Sequence, residues 1–469
     1  MKDWQKSDYF IVVRKSVKAD GAKGVANRQF LKRNTGNTGG YGNVEHELKE
    51  IRYQSKTYTR LETLMNRVNE TSIKEAHKRQ ARNKAVGVDG TTKEEYEKEL
   101  DKNVEDLIFR MKRFSYKPQP VRRVYIPKTN GKLRPLGIPA YEDRLVQGVM
   151  AELLSDIYEE RFLNCSYGFR PNRNAHQVVR FINQTIMTKK VNYVLEADIK
   201  GFFDNVNHDW LMKFLEHDIA DKNYLRYVKR FLIAGVMEGT ERKESDKGTP
   251  QGGQISPILA NVYLHYVLDL WYEKVIRKQC KGEVYYVRYA DDFIMLFQYE
   301  NEAYEVMKAL KKRLAKFDLE VAEDKTRILP IGRFKGTKEN FDFLGFTFFN
   351  THTREGKYRL GVRTSKKKLK AKKQEVKRWL HENMHKPIAE TMKRIQQALQ
   401  GHFNYYGVNG NLAQMYKFWK YVKYSYFRVL NKRHQKRSMR YNSYLRIWNY
   451  YVTEPHLTKD IWNWKPKSI

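Results

Sequence analysis

Two adjacent aspartates stand between two apolar runs, and few folds accept carboxylates in that position. Val284–Tyr289 (VYYVRY) and Phe293–Phe297 (FIMLF) flank the break Ala290-Asp291-Asp292. Each run has the length and composition of a buried strand, and so short a break predicts a tight hairpin with the two aspartates at its tip. Carboxylates beside buried strands are costly unless a cation compensates them. A divalent metal would do so. An Asp-rich surface turn is the plain alternative, and the tetrapeptide alone leaves the two at even odds.

A third aspartate shifts that balance. Tyr193–Ala197 (YVLEA) reads as a buried strand that ends on Asp198, followed by Ile199-Lys200-Gly201-Phe202-Phe203-Asp204. If this strand lies beside the hairpin, Asp198 and Asp291 face each other. Hard oxygen ligands on adjacent strands suit Mg²⁺, which fills its remaining positions with water and substrate phosphates. Two such ions, roughly 3.5–4 Å apart, can activate a 3′-hydroxyl and stabilise a pyrophosphate leaving group.

Two further segments are suggestive, though each has an ordinary explanation. In Gly248-Thr249-Pro250-Gln251-Gly252-Gly253-Gln254-Ile255-Ser256-Pro257 the glycines permit close backbone approach to a ligand. Ser256 is a suitable N-cap and Pro257 a suitable first residue for a helix through Leu270. An ordinary loop–helix junction reads the same way. Arg122–Ile126 and Leu133–Ile138 read as a strand pair joined by a turn at Thr129-Asn130-Gly131-Lys132. Lys128 and Arg134 flank that turn, placed to meet a triphosphate as a point charge and a bidentate fork; two solvated basic residues are the alternative.

Composition says what kind of partner to expect. Lys plus Arg number 90 against 54 Asp plus Glu, a net charge of +36. The 107 residues from Arg363 to Ile469 hold 25 of the basic and 5 of the acidic residues, so this last quarter carries +20. Such an excess fits a polyanion, most often nucleic acid. Two cysteines, Cys165 and Cys280, exclude a disulfide framework and a multi-cysteine zinc module. No run of about 18 apolar residues and no apolar N-terminal leader stand out, so a soluble intracellular chain without a membrane span is expected.

Taken in order along the chain, these motifs resemble those of the reverse transcriptases, and among them the group II intron-encoded maturases, over roughly residues 60–430. Tyr289-Ala290-Asp291-Asp292 is similar to the Y-x-D-D motif, Asp198–Asp204 to the metal-binding motif before it, and Pro250-Gln251-Gly252 through Ser256-Pro257 to P-Q-G-x-x-x-S-P. Asp143-Arg144-Leu145-Val146-Gln147 and Ser166-Tyr167-Gly168-Phe169-Arg170-Pro171 resemble finger motifs of the intron-encoded branch. Phe343-Leu344-Gly345-Phe346 resembles the primer-gripping turn, and Gly401-His402-Phe403-Asn404-Tyr405-Tyr406 resembles the maturase signature.

The resemblance implies an α+β fold: a right-hand polymerase with fingers, a palm built on an antiparallel sheet, and a helical thumb/maturase domain. The expected divisions are a basic, flexible extension (1–45), fingers (46–185), palm (186–350), thumb/maturase or X domain (351–432) and a short basic DNA/RNA-binding tail (433–469). It implies RNA-directed DNA synthesis, intron-RNA binding that promotes splicing, and intron mobility by target-primed reverse transcription. Asp198, the Ile199 carbonyl and Asp291 would bind two Mg²⁺ ions, which Mn²⁺ can replace, with Asp292 in support. Lys128, Arg134, Phe203 and Gln251 would hold the dNTP, and Lys325 is a candidate proton donor. Arg170, Lys366, Lys367, Lys417, Lys420, Lys423 and Arg433 are candidates for contacts to RNA or primer–template.

The expected partners are intron RNA, an RNA template with a DNA primer, target DNA and dNTPs, with no membrane and no zinc. Many members of this family end in a zinc-binding HNH endonuclease, and the cysteine-free C-terminal region resembles the type that lacks it. A bacterial cytoplasmic setting, within a ribonucleoprotein or at the nucleoid, is expected. Two alternatives stay open: an RNA-binding splicing maturase whose polymerase is secondary or lost, and a host-domesticated or defence-associated reverse transcriptase with the same core.

Overall fold

The computed structural model describes residues 40–57, 60–127, 133–239, 241–243, 246–249, 252–433 and 439–462. Lys128, the turn Thr129–Lys132 and Gln251 lie outside these residues, as does most of the expected extension. The end of the extension expected to be flexible (1–45) is helical from Gly40 onward, in a helix spanning Gly40–Thr57.

Among the described residues, three sheets organise the chain. Strands β1 (Val121–Pro127) and β2 (Leu133–Ile138) form the expected antiparallel pair, in register from Arg122↔Ile138 to Pro127↔Leu133. A second sheet holds β3 (Tyr193–Ala197), β6 (Val284–Tyr289), β7 (Asp292–Phe297) and β8 (Arg327–Pro330) in the order β6-β7-β3-β8, all antiparallel. Strands β4 (Val236–Glu238) and β5 (Glu241–Lys243) extend the β1–β2 sheet, β4 lying parallel to β1. A segment within the expected palm range thus completes the fingers sheet. The third sheet is the meander β9 (Asn340–Phe343), β10 (Phe346–His352) and β11 (Tyr358–Thr364).

The strands of the second sheet are near-continuous apolar runs because both of its faces are covered. Side chains alternate across a strand. Tyr193, Leu195, Phe293 and Met295 therefore enter the large core shared with the fingers helices. Val194, Val287, Ile294 and Leu296 enter a second core with the helix Ala175–Thr188 and the meander. At roughly 1.5–3 kcal/mol per fully buried aliphatic or aromatic side chain, the two faces together fix the register.

The thumb holds four helices: Lys366–Glu382, Ile388–Tyr406, Leu412–Lys432 and Tyr441–Tyr451. Met392, Ile395, Leu399 and Phe403, spaced three to four residues apart, bury one face of the second helix as their period predicts. Tyr444 and Trp448, on the fourth, belong to the same core. The division expected at residue 432 is thereby corrected, because the apolar packing runs through it. Beyond the fourth helix the chain turns back on the end of the second thumb helix and the second core: the backbone N–H of Thr458 donates to the Gly407 carbonyl (2.8 Å), and Ile461 is buried in that core. Residues 441–462 are bound to the fold rather than standing apart as a nucleic-acid-binding tail.

Candidate active site at the catalytic hairpin

The strand register builds the site. Ala197 of β3 pairs with Phe293 of β7, and Tyr289 of β6 pairs with Asp292. One further step of the β3–β7 register carries Asp198 to the hairpin tip. The loop has two residues, Ala290 and Asp291, and Ala290 holds φ +58°. Two-residue hairpin turns need a positive φ at the first central position, normally supplied by glycine. An alanine there is strained by about 1–3 kcal/mol, which surrounding contacts must offset.

Asp198, Asp291 and Asp292 act on one another electrically. Burial, and then Asp198, raise the Asp291 carboxyl above its ordinary value, while Arg134 of β2 and Arg288 oppose the rise. Asp292 is open at the tip but crowded by protein elsewhere. That desolvation, followed by repulsion from Asp291 and Asp198, pushes its carboxyl up to about 7, against Lys325 and Lys368. Carboxylates crowded together in this way favour a bound cation. Lys325, on the short turn Glu323–Lys325, places its ammonium directly on Asp198 Oδ2. Among the described residues no cluster of three or more acidic, His or Cys side chains is tight enough to hold an ion unaided. The aspartates fit a magnesium site whose other ligands come from water and substrate. Ile199 is buried beside Asp198, in an isolated bridge to Val321.

Phe203, in the turn Phe202–Asn205, lines a cavity of about 230 Å³ with Arg123, Pro135, Gly137, Lys247 and Thr249. The Gly-rich loop presses on both walls. Thr249 donates from its backbone N–H to the Phe203 carbonyl at 2.7 Å. Gly252 takes φ +120°, where a Cβ would stand 2.2 Å from the Gly137 carbonyl of β2. The glycines therefore serve close backbone approach. The helix begins at Ser256 itself, with Ile255 rather than Ser256 as N-cap, and Pro257 falls in its first turn.

In the fingers, on the helix Tyr141–Glu159, Asp143 is buried, accepting from the Tyr116 hydroxyl and from the Gln119 backbone N–H (2.9 Å). Phe343-Leu344-Gly345-Phe346 forms the β9–β10 turn, with positive φ at Leu344 (+49°) and Gly345 (+79°). The maturase-signature tyrosines rest on this turn: the Tyr405 hydroxyl donates to the Leu344 carbonyl at 2.9 Å, and both rings pack on Phe346.

The candidate nucleic-acid contacts divide. Lys366, Lys367, Lys417 and Lys420 are exposed on the thumb. Lys423 is half-buried, its ammonium 4.8 Å from the Trp419 ring centre. Phe418, Trp419 and Tyr426 point into the core, while Tyr424 stays half-exposed, stacked on Tyr441. Arg170 is a correction. Its guanidinium is buried, bonded twice to Glu159 (2.9 Å each) and to the Leu163 and Ser166 carbonyls (2.8 and 2.9 Å). It braces its own loop. Arg433 is likewise turned inward, donating to the Lys386 carbonyl at 2.9 Å.

The sequence reading passed over Arg288 and Asp269, both fully buried and paired at 2.6 Å. Arg288 also donates to the Asn261 side chain (2.9 Å), the Ser166 hydroxyl (2.8 Å) and the Ala290 carbonyl (3.0 Å). An arginine inside the apolar run VYYVRY was the available signal, since buried charges occur almost only in pairs. Breaking such a pair from one side costs about 3–5 kcal/mol.

A palm whose strand ends converge three aspartates, with cationic fingers on one side and a basic helical bundle on the other, is the architecture of a template-directed polymerase. Residues 126–348 match the family Reverse transcriptase (RNA-dependent DNA polymerase), and residues 369–448 match Group II intron, maturase-specific domain. The chain is 33% identical to Protein YkfC of Escherichia coli over 304 residues, 58% of this chain and 78% of that protein. It is 40% identical to Group II intron-encoded protein LtrA of Lactococcus lactis over 175 residues, 36% of this chain and 29% of LtrA. It is 31% identical to Nuclear intron maturase 2, mitochondrial, of Arabidopsis thaliana over 111 residues, 23% and 15% of the two chains. The matched stretch thus spans most of YkfC but under a third of LtrA.

The chain belongs to the group II intron-encoded reverse transcriptase/maturase family. It is an RNA-directed DNA polymerase with the splicing-maturase function of that family, which binds intron RNA and template–primer and is generally magnesium-dependent. Among the described residues no helix is long and apolar enough to cross a membrane.

Proposed function

We propose that nucleotidyl transfer takes place at Asp198 and Asp291 with two divalent ions, Mg²⁺ or in its place Mn²⁺, and that the thumb holds the intron RNA and the primer–template. The carrying observation is the register that brings Asp198 to the hairpin tip, where its charge raises the carboxyls of Asp291 and Asp292 and Lys325 already sits as a cation. When bound, the ions would activate the primer 3′-hydroxyl and neutralise the leaving pyrophosphate.

The residues of the chain do the rest. Asp198 and Asp291 hold the ions, helped by the Ile199 carbonyl, and Asp292 adds charge from the adjoining position. Arg134, with Lys128, neutralises the triphosphate. Phe203, held by the loop at Thr249, closes the floor under the sugar and disfavours a 2′-hydroxyl, and Gln251 contacts the nucleotide near that sugar. Lys325 holds a proton beside Asp198 and is the candidate donor to the leaving group. Lys366, Lys367, Lys417, Lys420 and Lys423 meet phosphates on the exposed thumb. Target DNA and dNTPs complete the partners of a target-primed cycle of intron mobility, in a bacterial cytoplasmic ribonucleoprotein.

Primer extension on poly(rA)/oligo(dT) tests the catalytic assignment. Wild-type protein should incorporate dTTP and Asp291→Ala should not; undiminished incorporation by Asp291→Ala overturns it. The splicing role is separable. Asp291→Ala, still folded, should promote splicing of the intron RNA that encodes the chain.

A further inference from the structure

The hairpin tip has an unusual backbone held by an unusual support. Ala290 sits at φ +58° with no glycine to relieve it. Its carbonyl accepts from Arg288 Nη1 at 3.0 Å, and that peptide unit leads directly into Asp291. The same guanidinium is fixed on its other sides: Nε and Nη2 on Asp269 (2.8 and 2.6 Å), Nη1 on Asn261 (2.9 Å) and Nη2 on Ser166 (2.8 Å).

Each anchor is tied to a different element. Asp269 lies where the helix that begins at Ser256 widens into a π turn, His265–Asp269. The Tyr286 hydroxyl donates to Asp269 at 3.0 Å, and His265 lies 3.8 Å away. Such widened turns are rare in helices and cluster at functional sites. Burial works against the Asp269 charge, but Arg288 outweighs it and holds the carboxylate well below its ordinary range. Asn261, one turn earlier, donates to the Gly168 carbonyl at 2.7 Å. Gly168 lies against the turn itself, where a Cβ would come within 2.3 Å of the Ala290 nitrogen. The Ser166–Gly168 loop, the π turn and the catalytic hairpin are thus locked through one guanidinium.

We propose that Arg288, oriented by Asp269 and Asn261, is a positioning residue for the polymerase reaction. It fixes the Ala290–Asp291 peptide plane and so aims the Asp291 carboxylate, and it touches no substrate. The assignment rests on Asp291 being a metal ligand. Misplacing a reacting group by about 1 Å from a distance can cost on the order of 10²-fold in rate. Lysine at position 288 keeps the charge opposite Asp269 but loses the planar fork that serves four partners at once.

The test is single-turnover dTTP incorporation on poly(rA)/oligo(dT) by the full chain, titrated with Mg²⁺, with primer–template affinity and Tm measured on the same samples. Arg288→Lys should bind primer–template within about twofold of wild type, incorporate on the order of 10²-fold more slowly, and need more Mg²⁺ for half-maximal rate. The double variant Arg288→Met/Asp269→Leu replaces the buried pair by apolar groups of similar size, a change that buried ion pairs often tolerate. It should fold, bind primer–template and show the same rate loss. Wild-type rate and Mg²⁺ dependence in either folded variant overturns the proposal. So does a rate loss matched by an equal loss of affinity, or the unfolding of both variants, either of which makes the cluster purely structural. Asp291→Asn in the same assay separates the two claims. If it is active, the site assignment fails; if it is dead while Arg288→Lys matches wild type, only the positioning role fails.

Discussion

The catalytic hairpin and the third thumb helix, Leu412–Lys432, handle charge in opposite ways. At the hairpin, charges are few, buried or crowded, and each is set against named partners, from Arg288 on Asp269 to Lys325 on Asp198. On the thumb helix, Lys417 and Lys420 are exposed on a rigid aromatic core of Phe418, Trp419 and Tyr426. A reacting centre needs one geometry, so its supports are unique and their loss is expensive. A phosphate grip needs a field, so its charges are many and interchangeable. Changes near the hairpin should therefore lower the rate and leave affinity alone, and changes on the thumb should do the reverse.

The largest effect is expected at Asp291. Asp291→Asn should lower single-turnover incorporation at least on the order of 10³-fold, with primer–template affinity unchanged; an equal loss in affinity would dissolve the contrast. Next is Gly168→Ala, whose added methyl meets the Ala290 backbone. A shift of a few tenths of an ångström or more must follow, and a rate loss of about 10–10²-fold is expected with an unchanged thumb; wild-type kinetics would show that the turn tolerates displacement.

A third prediction concerns Asp143, whose carboxyl burial pushes up to about 7 despite the Tyr116 and Gln119 hydrogen bonds. A carboxyl raised in the folded state stabilises most below its unfolded value of about 3.9, and that stability is lost as pH rises through about 7. Asp143→Asn should therefore gain stability on wild type between pH 5 and pH 8, by on the order of 1–3 kcal/mol, read as a widening difference in Tm. A pH-independent difference would contradict it. The smallest effect belongs to the thumb. Lys417→Ala or Lys420→Ala should weaken RNA binding only a few-fold and reduce the slope of log K against log salt by about 1 each, with incorporation at saturating primer–template unchanged. A rate loss there would place the thumb lysines in the catalytic geometry.

Much of the fold was legible because the signals were local. The apolar runs around Ala290–Asp292 gave the hairpin, Tyr193–Ala197 gave the strand beside it, and the spacing of Met392 to Phe403 gave the buried face of a helix. The aspartates could be read as a site because carboxylates at strand ends are expensive. What escaped was non-local. That β4 joins the fingers sheet, or that Thr458 to Ile461 return to Gly407 and the second core, depends on pairings between distant segments. Arg170 was misread because a basic residue in a finger motif looks like a ligand contact until its partner Glu159 is placed beside it. Arg288 was passed over because periodicity weighs apolar neighbours and says nothing about a buried guanidinium among them.

The most direct test of a fixed catalytic hairpin against a redundant thumb compares Asp291→Asn and Lys417→Ala in one single-turnover assay on an RNA template–DNA primer at saturating enzyme. Asp291→Asn should bind normally and incorporate no detectable nucleotide, while Lys417→Ala should bind more weakly and incorporate at the wild-type rate. Incorporation by Asp291→Asn at a rate near wild type would contradict the account at its centre.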